Sequence, residues 1–242
     1  MIFNLFKAKP TLKDLIPNGF VDIHSHILPG IDDGAKNINE SLKIILEMKK
    51  LGFSKIIGTP HTYPGLYEND NSSIKNSYHK VHERLNTEIK IDYASEYMLD
   101  NSIVEKARNK TLLCLKDNLV LVEMSFISEP LKLQEMIFEI QVNGYIPILA
   151  HPERYLFMSN NFLRFEKLKK VGCLFQANLL SFTGYYGKEV VKLLDKLVKR
   201  KMINYVGSDI HSQIHISAFS KKIVTKDVNA LERLMKNNEE FK

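Results

Sequence analysis

The sequence predicts an α/β protein in a single domain, a parallel β-barrel with helical crossovers, and three observations carry that prediction. Short apolar strands alternate with helical segments about seven times. Histidines and acids recur where those strands run out. The chain has 242 residues, a length that βα barrels use without dividing.

Taken in order, Phe20-Val21-Asp22-Ile23 is a short buried strand, followed by His24 and His26. Residues two apart on an extended backbone share a face, so both imidazoles can converge on one point. The turn Leu28-Pro29-Gly30 brings in Asp32 and Asp33 ahead of Gly34. Alone, such a histidine pair is more simply a strand end satisfied by backbone carbonyls. The rest of the chain changes that reading. Residues 39–51 carry Leu42, Ile45, Leu46 and Met48 at helical spacing, and Gly52 stops them. A strand over 55–59 leads to Pro60-His61; a helix over 74–88 and a strand over 89–94 lead to Ser95-Glu96-Tyr97. A strand over 118–122 ends in Glu123, and a helix over 131–142 precedes the strand 145–150, which ends at His151. Helix 162–171, strand 173–177, helix 189–201 and strand 203–207 follow, the last ending at Ser208-Asp209-Ile210-His211. A final helix spans 229–235.

Barrel closure gathers His24, His26, His61, Glu96, Glu123, His151, Asp209 and His211 on the face formed by the carboxyl ends of the strands, where βα barrels place their active sites. The bland alternative is that turns favour polar residues, but turns favour Gly, Asn, Asp and Ser rather than five histidines. With Asp33 the set is five imidazoles and four carboxylates. An open catalytic site takes about three protein ligands per metal, so the set implies two or three divalent ions with bridging carboxylates. Nitrogen and oxygen donors without thiolate suit manganese, iron, zinc or magnesium, with manganese the expectation. Clustered divalent metals make hydroxide available near neutral pH and clamp the oxygens of an in-line displacement. Phosphoester hydrolysis is the reaction this serves best.

Hydrophobic residues make up 44% and charged residues 26%, ordinary globular values. The net charge of +6 is spread mainly over lysine-bearing helical segments and lacks the arginine-rich or stacking-aromatic pattern of nucleic-acid binding. Cys114 and Cys173 form no close pair and fit buried free thiols in the cytoplasm. Neither is a phosphatase nucleophile, because Val120 and Leu179 stand where the arginine of a cysteine-phosphatase loop would be. No run is apolar enough for a signal peptide or a transmembrane segment. Residues 1–19 form an N-terminal extension to a barrel over 20–242; Ile2, Phe3, Leu5 and Phe6 in it are expected to pack on the domain, with peripheral membrane or partner contact as the alternative.

The ordered set His24-Ser-His26, Asp32-Asp33-Gly34, Thr59-Pro-His61, Ser95-Glu96-Tyr97, Val122-Glu123-Met-Ser125, His151-Pro-Glu-Arg154-Tyr155 and Ser208-Asp209-Ile-His211 resembles the polymerase and histidinol phosphatase (PHP) superfamily. Within it the chain is similar to the bacterial protein-tyrosine phosphatases of the CpsB/YwqE type, over roughly Phe20 to Glu240. The resemblance implies a distorted seven-stranded TIM-like barrel holding three metals. It implies that His24, His26, Glu96 and Asp209 hold the first metal. Glu96 then bridges to a second completed by Glu123 and His151, and Asp33, His61 and His211 hold a third. Asp209 is thus both ligand and catalytic residue. Arg154 grips the phosphoryl group, and metal-bound hydroxide attacks phosphorus in line with the tyrosyl oxygen. Asp33 is the ligand and Asp32 forms the turn or supports a ligand, an ordering that rests on the resemblance alone. The implied substrate is a phosphotyrosine protein, a tyrosine autokinase controlling capsule or exopolysaccharide assembly. One departure stands out: Gln213, Ile214 and His215 follow Ser-Asp-x-His where relatives often carry a second phosphate-binding arginine, leaving His215 or a nearby lysine to substitute.

Several residues admit plainer readings. Arg154 can be a structural ion pair, though its place beside His151 favours phosphate. His79 and His82 on a helix without a third ligand read as an exposed pair. Asp22 is expected to orient one of the first histidines, and Tyr185-Tyr186 either rim the pocket or pack. The rival functions are a small-molecule PHP phosphatase such as a histidinol phosphatase, an amidohydrolase, and a non-catalytic barrel binding a phosphoprotein. Amidohydrolases commonly bridge their metals with a lysine at a middle strand, where Glu96 and Glu123 stand here. A non-catalytic barrel would leave buried carboxylates without their cations, which is costly.

Overall fold

The computed structural model describes residues 9–242; Ile2, Phe3, Leu5 and Phe6 lie outside them. Nine strands are all parallel to their neighbours: β1 (Phe20–Ser25), β2 (Phe53–Gly58), β3 (His61–Thr62), β4 (Lys90–Tyr93), β5 (Glu96–Met98), β6 (Leu119–Glu123), β7 (Ile146–Ala150), β8 (Leu174–Asn178) and β9 (Tyr205–Gly207). They form a sheet of order β1-β2-β4 and another of order β3-β5-β6-β7-β8-β9. Thr59-Pro60 separates β2 from β3 and Ala94-Ser95 separates β4 from β5, so each pair is one stave broken in the middle. The staves close because Ser25 bridges Ile210 in parallel, with Asp209 N donating to His24 O at 2.8 Å and His26 N to Ile210 O at 2.9 Å. The result is a split, distorted barrel of seven staves.

Helices cover the outside: α1 (Ile38–Lys50), α2 (Asn71–His82), α3 (Asn101–Arg108), α4 (Leu133–Val142), α5 (Leu163–Lys170), α6 (Lys188–Lys199), α7 (Gln213–Ala218) and α8 (Val228–Asn237). Strands covered on both faces must be apolar throughout, and β6 shows the division: Leu119 and Leu121 join the cluster inside the barrel, Val120 and Val122 the cluster beneath the helices. The bottom of the barrel is closed by the C-terminal turn, where Phe241 meets Tyr205 edge-on at 5.0 Å and Asn238 Nδ2 donates to Val21 O and Val206 O. With the bottom packed, only the carboxyl ends of the strands are free to hold polar groups.

The N-terminal residues that the structure describes lie along the barrel. Leu12 N donates to Lys221 O at 3.0 Å, and the Leu12 side chain is fully buried. Three element expectations need correction, one being the six-residue helix α7, which follows Ser208–His211 and was not expected. The second helix runs over 71–82 rather than 74–88, because Asp70 caps it through Ser73 N at 2.7 Å, and Asn86 and Thr87 beyond it are poor helix formers. The helix α3 was not expected. It buries only Ile103 and Ala107, too few for a visible period, and it starts because Asp100 accepts from Ser102 N and Ile103 N.

Candidate metal centre

Each expected ligand stands at or just beyond a strand end. In β1 the pairing with β2 slips between Asp22 and Ser25, an irregularity that lets Ile23 fill the barrel while His24 and His26 face the top. His61 pairs directly across the ladder with Glu96, and Met98 with Glu123. His151 and Asp209 end their strands with φ of 36° and 53°, left-handed conformations costly for residues with a side chain and typical of functional sites.

The structure brings all nine residues together. His26, Asp33, His61 and His211 form one donor group, His24, His26 and Asp209 a second, His24, Glu96 and His151 a third, and His61, Glu96 and Glu123 a fourth, with the donor atoms of each group within 4.8 Å of one another. Glu96 sits in two groups; its Oε2 reaches a histidine of each, and its Oε1 faces the third histidine. Oε2 lies 3.2 Å from His24 Nε2 and 3.1 Å from His61 Nδ1, while Oε1 lies 3.0 Å from His151 Nε2. The Glu123 carboxylate leans to His61 Nδ1 at 2.8 Å and shares its group rather than that of His151. Asp33 Oδ1 is 3.4 Å from both His61 Nε2 and His211 Nε2.

Other residues aim these donors. Gln176 Oε1 meets His24 Nδ1 at 2.7 Å and Asp32 Oδ2 meets His26 Nδ1 at 2.7 Å. Each acceptor holds a proton on Nδ1 and leaves Nε2 a lone pair; the two Nε2 atoms are 3.3 Å apart. Asp32 also accepts from Gly34 N at 2.9 Å and His61 N at 3.2 Å. The loop closes this tightly only because residue 34 is glycine, since a Cβ there would lie 2.1 Å from His26 O. Asp22 does not orient a histidine, contrary to expectation. Its carboxylate accepts from Ser208 N at 2.8 Å and Ser208 Oγ at 2.5 Å, fastening β9 to β1, and burial pushes its pKa up to about 6 against those bonds. Gln176 and Asn178 escaped the sequence reading. The signal was two amides at alternate positions of an otherwise apolar strand, and Asn178 Nδ2 donates to Asp209 Oδ2 at 2.6 Å.

Charge in the cluster is strongly coupled. Burial opposes ionisation of Glu96 and Asp209, yet the facing imidazoles, His24 first, hold both well below the usual carboxylate range. Burial and the His61 charge oppose protonation of His26, but Asp32 and Asp209 raise it to about 10. His151 is pulled down to about 4 by burial despite Glu96. Burial and the charge of Glu96 push Glu123 up. Glu96 Oε2, His61 Nδ1 and His151 Nδ1 are buried without a hydrogen bond of acceptable geometry, even though Glu96 Oε2 and His61 Nδ1 approach each other. Donor atoms that crowd to about 3 Å without bonding one another fit a set that converges on cations between them.

Above the donors lies a pocket of about 360 Å³, lined among others by Arg154, Phe126, Tyr186 and His215. Arg154 Nη1 donates to Asp209 Oδ2 at 3.0 Å, and its guanidinium lies between the rings of Phe126 at 4.2 Å and Tyr186 at 4.5 Å. It is thus an ion pair and a pocket-lining group at once. Of the two stand-ins left open for a second arginine, His215 lines the pocket and accepts from His211 N at 3.0 Å; no lysine lines it among the described residues. His79 and His82 are exposed on α2. Cys173 is buried, Cys114 half-buried, and both are free.

Comparison with known proteins gives consistent likenesses. The sequence profile of a family described as capsular polysaccharide synthesis, CpsB/CapC, matches residues 20–230. The tyrosine-protein phosphatase YwqE of Bacillus subtilis is 30% identical over 196 residues, 79% of this chain and 77% of YwqE. A crystal structure from work on YwqE and on CpsB of Streptococcus pneumoniae, described as metal-dependent tyrosine phosphatases, superposes with a TM-score of 0.79 at 27% identity, covering 90% of this chain and 92% of that one. Histidinol phosphate phosphatase from Lactococcus lactis superposes with a TM-score of 0.54 at 14% identity, over 90% of this chain and 93% of its own, which shows a shared fold.

Proposed function

Because the chain belongs to the CpsB/CapC family of capsular polysaccharide synthesis proteins, we propose that it is a metal-dependent phosphatase that removes phosphate from phosphotyrosine in a protein. YwqE and CpsB carry that activity in their descriptions. The observation that carries the reading is Glu96, whose two oxygens face different imidazoles as a bridging carboxylate requires. In this reading His24, His26, Asp209 and Glu96 would hold one cation, Glu96 with His151 a second, which Glu123 would complete by turning from His61, and Asp33, His61 and His211 a third. Such cations supply a hydroxide nucleophile near neutral pH and offset phosphoryl charge; manganese is our assignment.

The chain's own groups do the rest. Arg154 binds the phosphoryl group through N–H groups not engaged by Asp209, while the rings of Phe126 and Tyr186 pack on its guanidinium. Gln176 and Asp32 hold the His24 and His26 tautomers. The leaving group is a phenolate of pKa about 10, which departs with less protonation than an alkoxide, so no dedicated acid is needed. The family description supports a substrate in capsule or exopolysaccharide assembly, for which we assign a tyrosine kinase, and the free thiols of Cys114 and Cys173 support a cytoplasmic setting. The test is hydrolysis of a phosphotyrosine peptide against a phosphoserine peptide and histidinol phosphate, with manganese and then with chelator. Manganese-dependent turnover preferring phosphotyrosine is expected; turnover of histidinol phosphate alone refutes the substrate.

A further inference from the structure

Tyr186 shares the pocket with the proposed ligands, and while its ring flanks Arg154, its hydroxyl has no task so far. It sits in the turn between Gly184 and Gly187, whose φ values of 76° and 100° turn the chain back over the barrel mouth. Its ring covers one face of the Arg154 guanidinium. Its hydroxyl is buried and has no hydrogen-bond partner. Asn178 neighbours the hydroxyl, with Nδ2 donating to Asp209 at 2.6 Å and Oδ1 accepting from Gln176 Nε2 at 3.1 Å; what it still offers the phenolic oxygen is its second Nδ2 hydrogen, so the hydroxyl's own proton is left without an acceptor. A buried hydroxyl without a partner costs free energy, and proteins keep few of them.

We infer that the Tyr186 hydroxyl donates a hydrogen bond to a phosphoryl oxygen of the bound substrate beside Arg154, which makes Tyr186 a catalytic residue. The inference rests on the phosphatase reading above. The protonation of the hydroxyl agrees with it. Burial, and then the charge of Asp209, push the hydroxyl well above the ordinary tyrosine range, so it keeps its proton and acts as a donor. Tyr185 next to it does something else: its ring meets His215 edge-on at 5.4 Å and carries Lys221 above it at 5.1 Å.

The test compares full-length, metal-loaded wild type with Tyr186→Phe, which keeps the ring on Arg154 and removes only the hydroxyl. Three quantities are read: kcat/KM on a phosphotyrosine peptide and on p-nitrophenyl phosphate, the affinity for inorganic phosphate by calorimetry, and metal content. A hydrogen bond to a charged oxygen predicts a loss of roughly tenfold to a hundredfold in kcat/KM on both substrates. Phosphate binding should weaken in step, with metal content unchanged. Tyr186→Leu, which also uncovers Arg154, should lose more. Wild-type rate and phosphate affinity in Tyr186→Phe overturn the inference. So does loss of metal or of folding in that variant, since the hydroxyl would then serve the structure, and so does a loss confined to the phosphotyrosine peptide, which would put the hydroxyl at the leaving oxygen. Were the wild type inactive on every phosphomonoester, the functional reading would fall, and phosphate calorimetry would still decide the role of the hydroxyl.

Discussion

Asp32 touches no substrate in the reading above, yet its replacement by asparagine should cripple metal binding. The two side chains have nearly the same shape, so packing is spared. The carboxylate faces three donors: Oδ2 accepts from His26 Nδ1 at 2.7 Å and His61 N at 3.2 Å, and Oδ1 from Gly34 N at 2.9 Å. An amide has one acceptor and one donor end, so in either orientation its NH2 meets an N–H. With the NH2 toward Gly34 the tight loop under His26 opens. With it toward His26 the imidazole must accept at Nδ1 and carry its proton on Nε2, the atom 3.3 Å from His24 Nε2 that should face the metal. A lost charge-assisted bond costs about 1.5–3 kcal/mol, or roughly tenfold to a hundredfold in metal affinity, the usual scale for partners of metal-binding histidines. The assay is manganese titration of metal-stripped Asp32→Asn and wild type by calorimetry, with the thermal midpoint in chelator as a control for folding. Wild-type affinity and stoichiometry in the variant would refute both the tautomer argument and the place of His26 among the ligands.

Arg154→Lys keeps a positive charge but loses the fork and its stacking between Phe126 and Tyr186; we expect kcat/KM on phosphotyrosine to fall about a hundredfold with metal content retained, and an equally active lysine variant would remove the phosphate role. Glu153 is fully buried, accepts from Asn178 N and Ser181 Oγ, and is pushed by burial to about 7. The folded state therefore holds a proton that the unfolded state releases near pH 4.5. Stability contributed by the neutral carboxyl is full below that value and lost as pH rises through about 7, by about 3 kcal/mol at ~1.4 kcal/mol per pH unit. Glu153→Gln should escape this loss, so denaturant midpoints of the two proteins at pH 5 and pH 8 should diverge in favour of the variant at pH 8, and parallel pH dependence would contradict it. Removing residues 1–19 takes away Leu12 and Ile16, both buried in the main core. A thermal midpoint lower by on the order of 10 °C is expected, from about 4 kcal/mol of lost burial; an unchanged midpoint would make the whole segment an appendage.

How much of this was legible in the sequence follows from what each residue does. The donors could be read because they break a pattern: His24, His61, Glu123, His151 and Asp209 interrupt or end apolar runs, and one assumption of barrel closure puts them on one face. The fold class was readable for the same reason, since strands buried on both faces leave continuous apolar stretches such as Leu119–Val122. Of the residues behind the donors, Asp32 was expected beside the ligands and lies six positions from His26, while the others were not readable, because their types are common and their partners are distant in the chain. Gln176 reaches His24 across 152 positions, and Asp22 reaches Ser208 across 186. No local period marks a carboxylate that fastens one strand to another, so Asp22 was expected to orient a histidine when Gln176 and Asp32 do so. The helix α3 was hidden by its length, since its eight residues leave an apolar face of only two buried side chains, Ile103 and Ala107, behind one capping aspartate. Yet these less legible residues decide which nitrogen of each imidazole is free. A chain that kept all nine donors and every family motif but lost Gln176 would have nothing to hold the His24 proton on Nδ1, and that histidine could present a proton where the reading requires a lone pair.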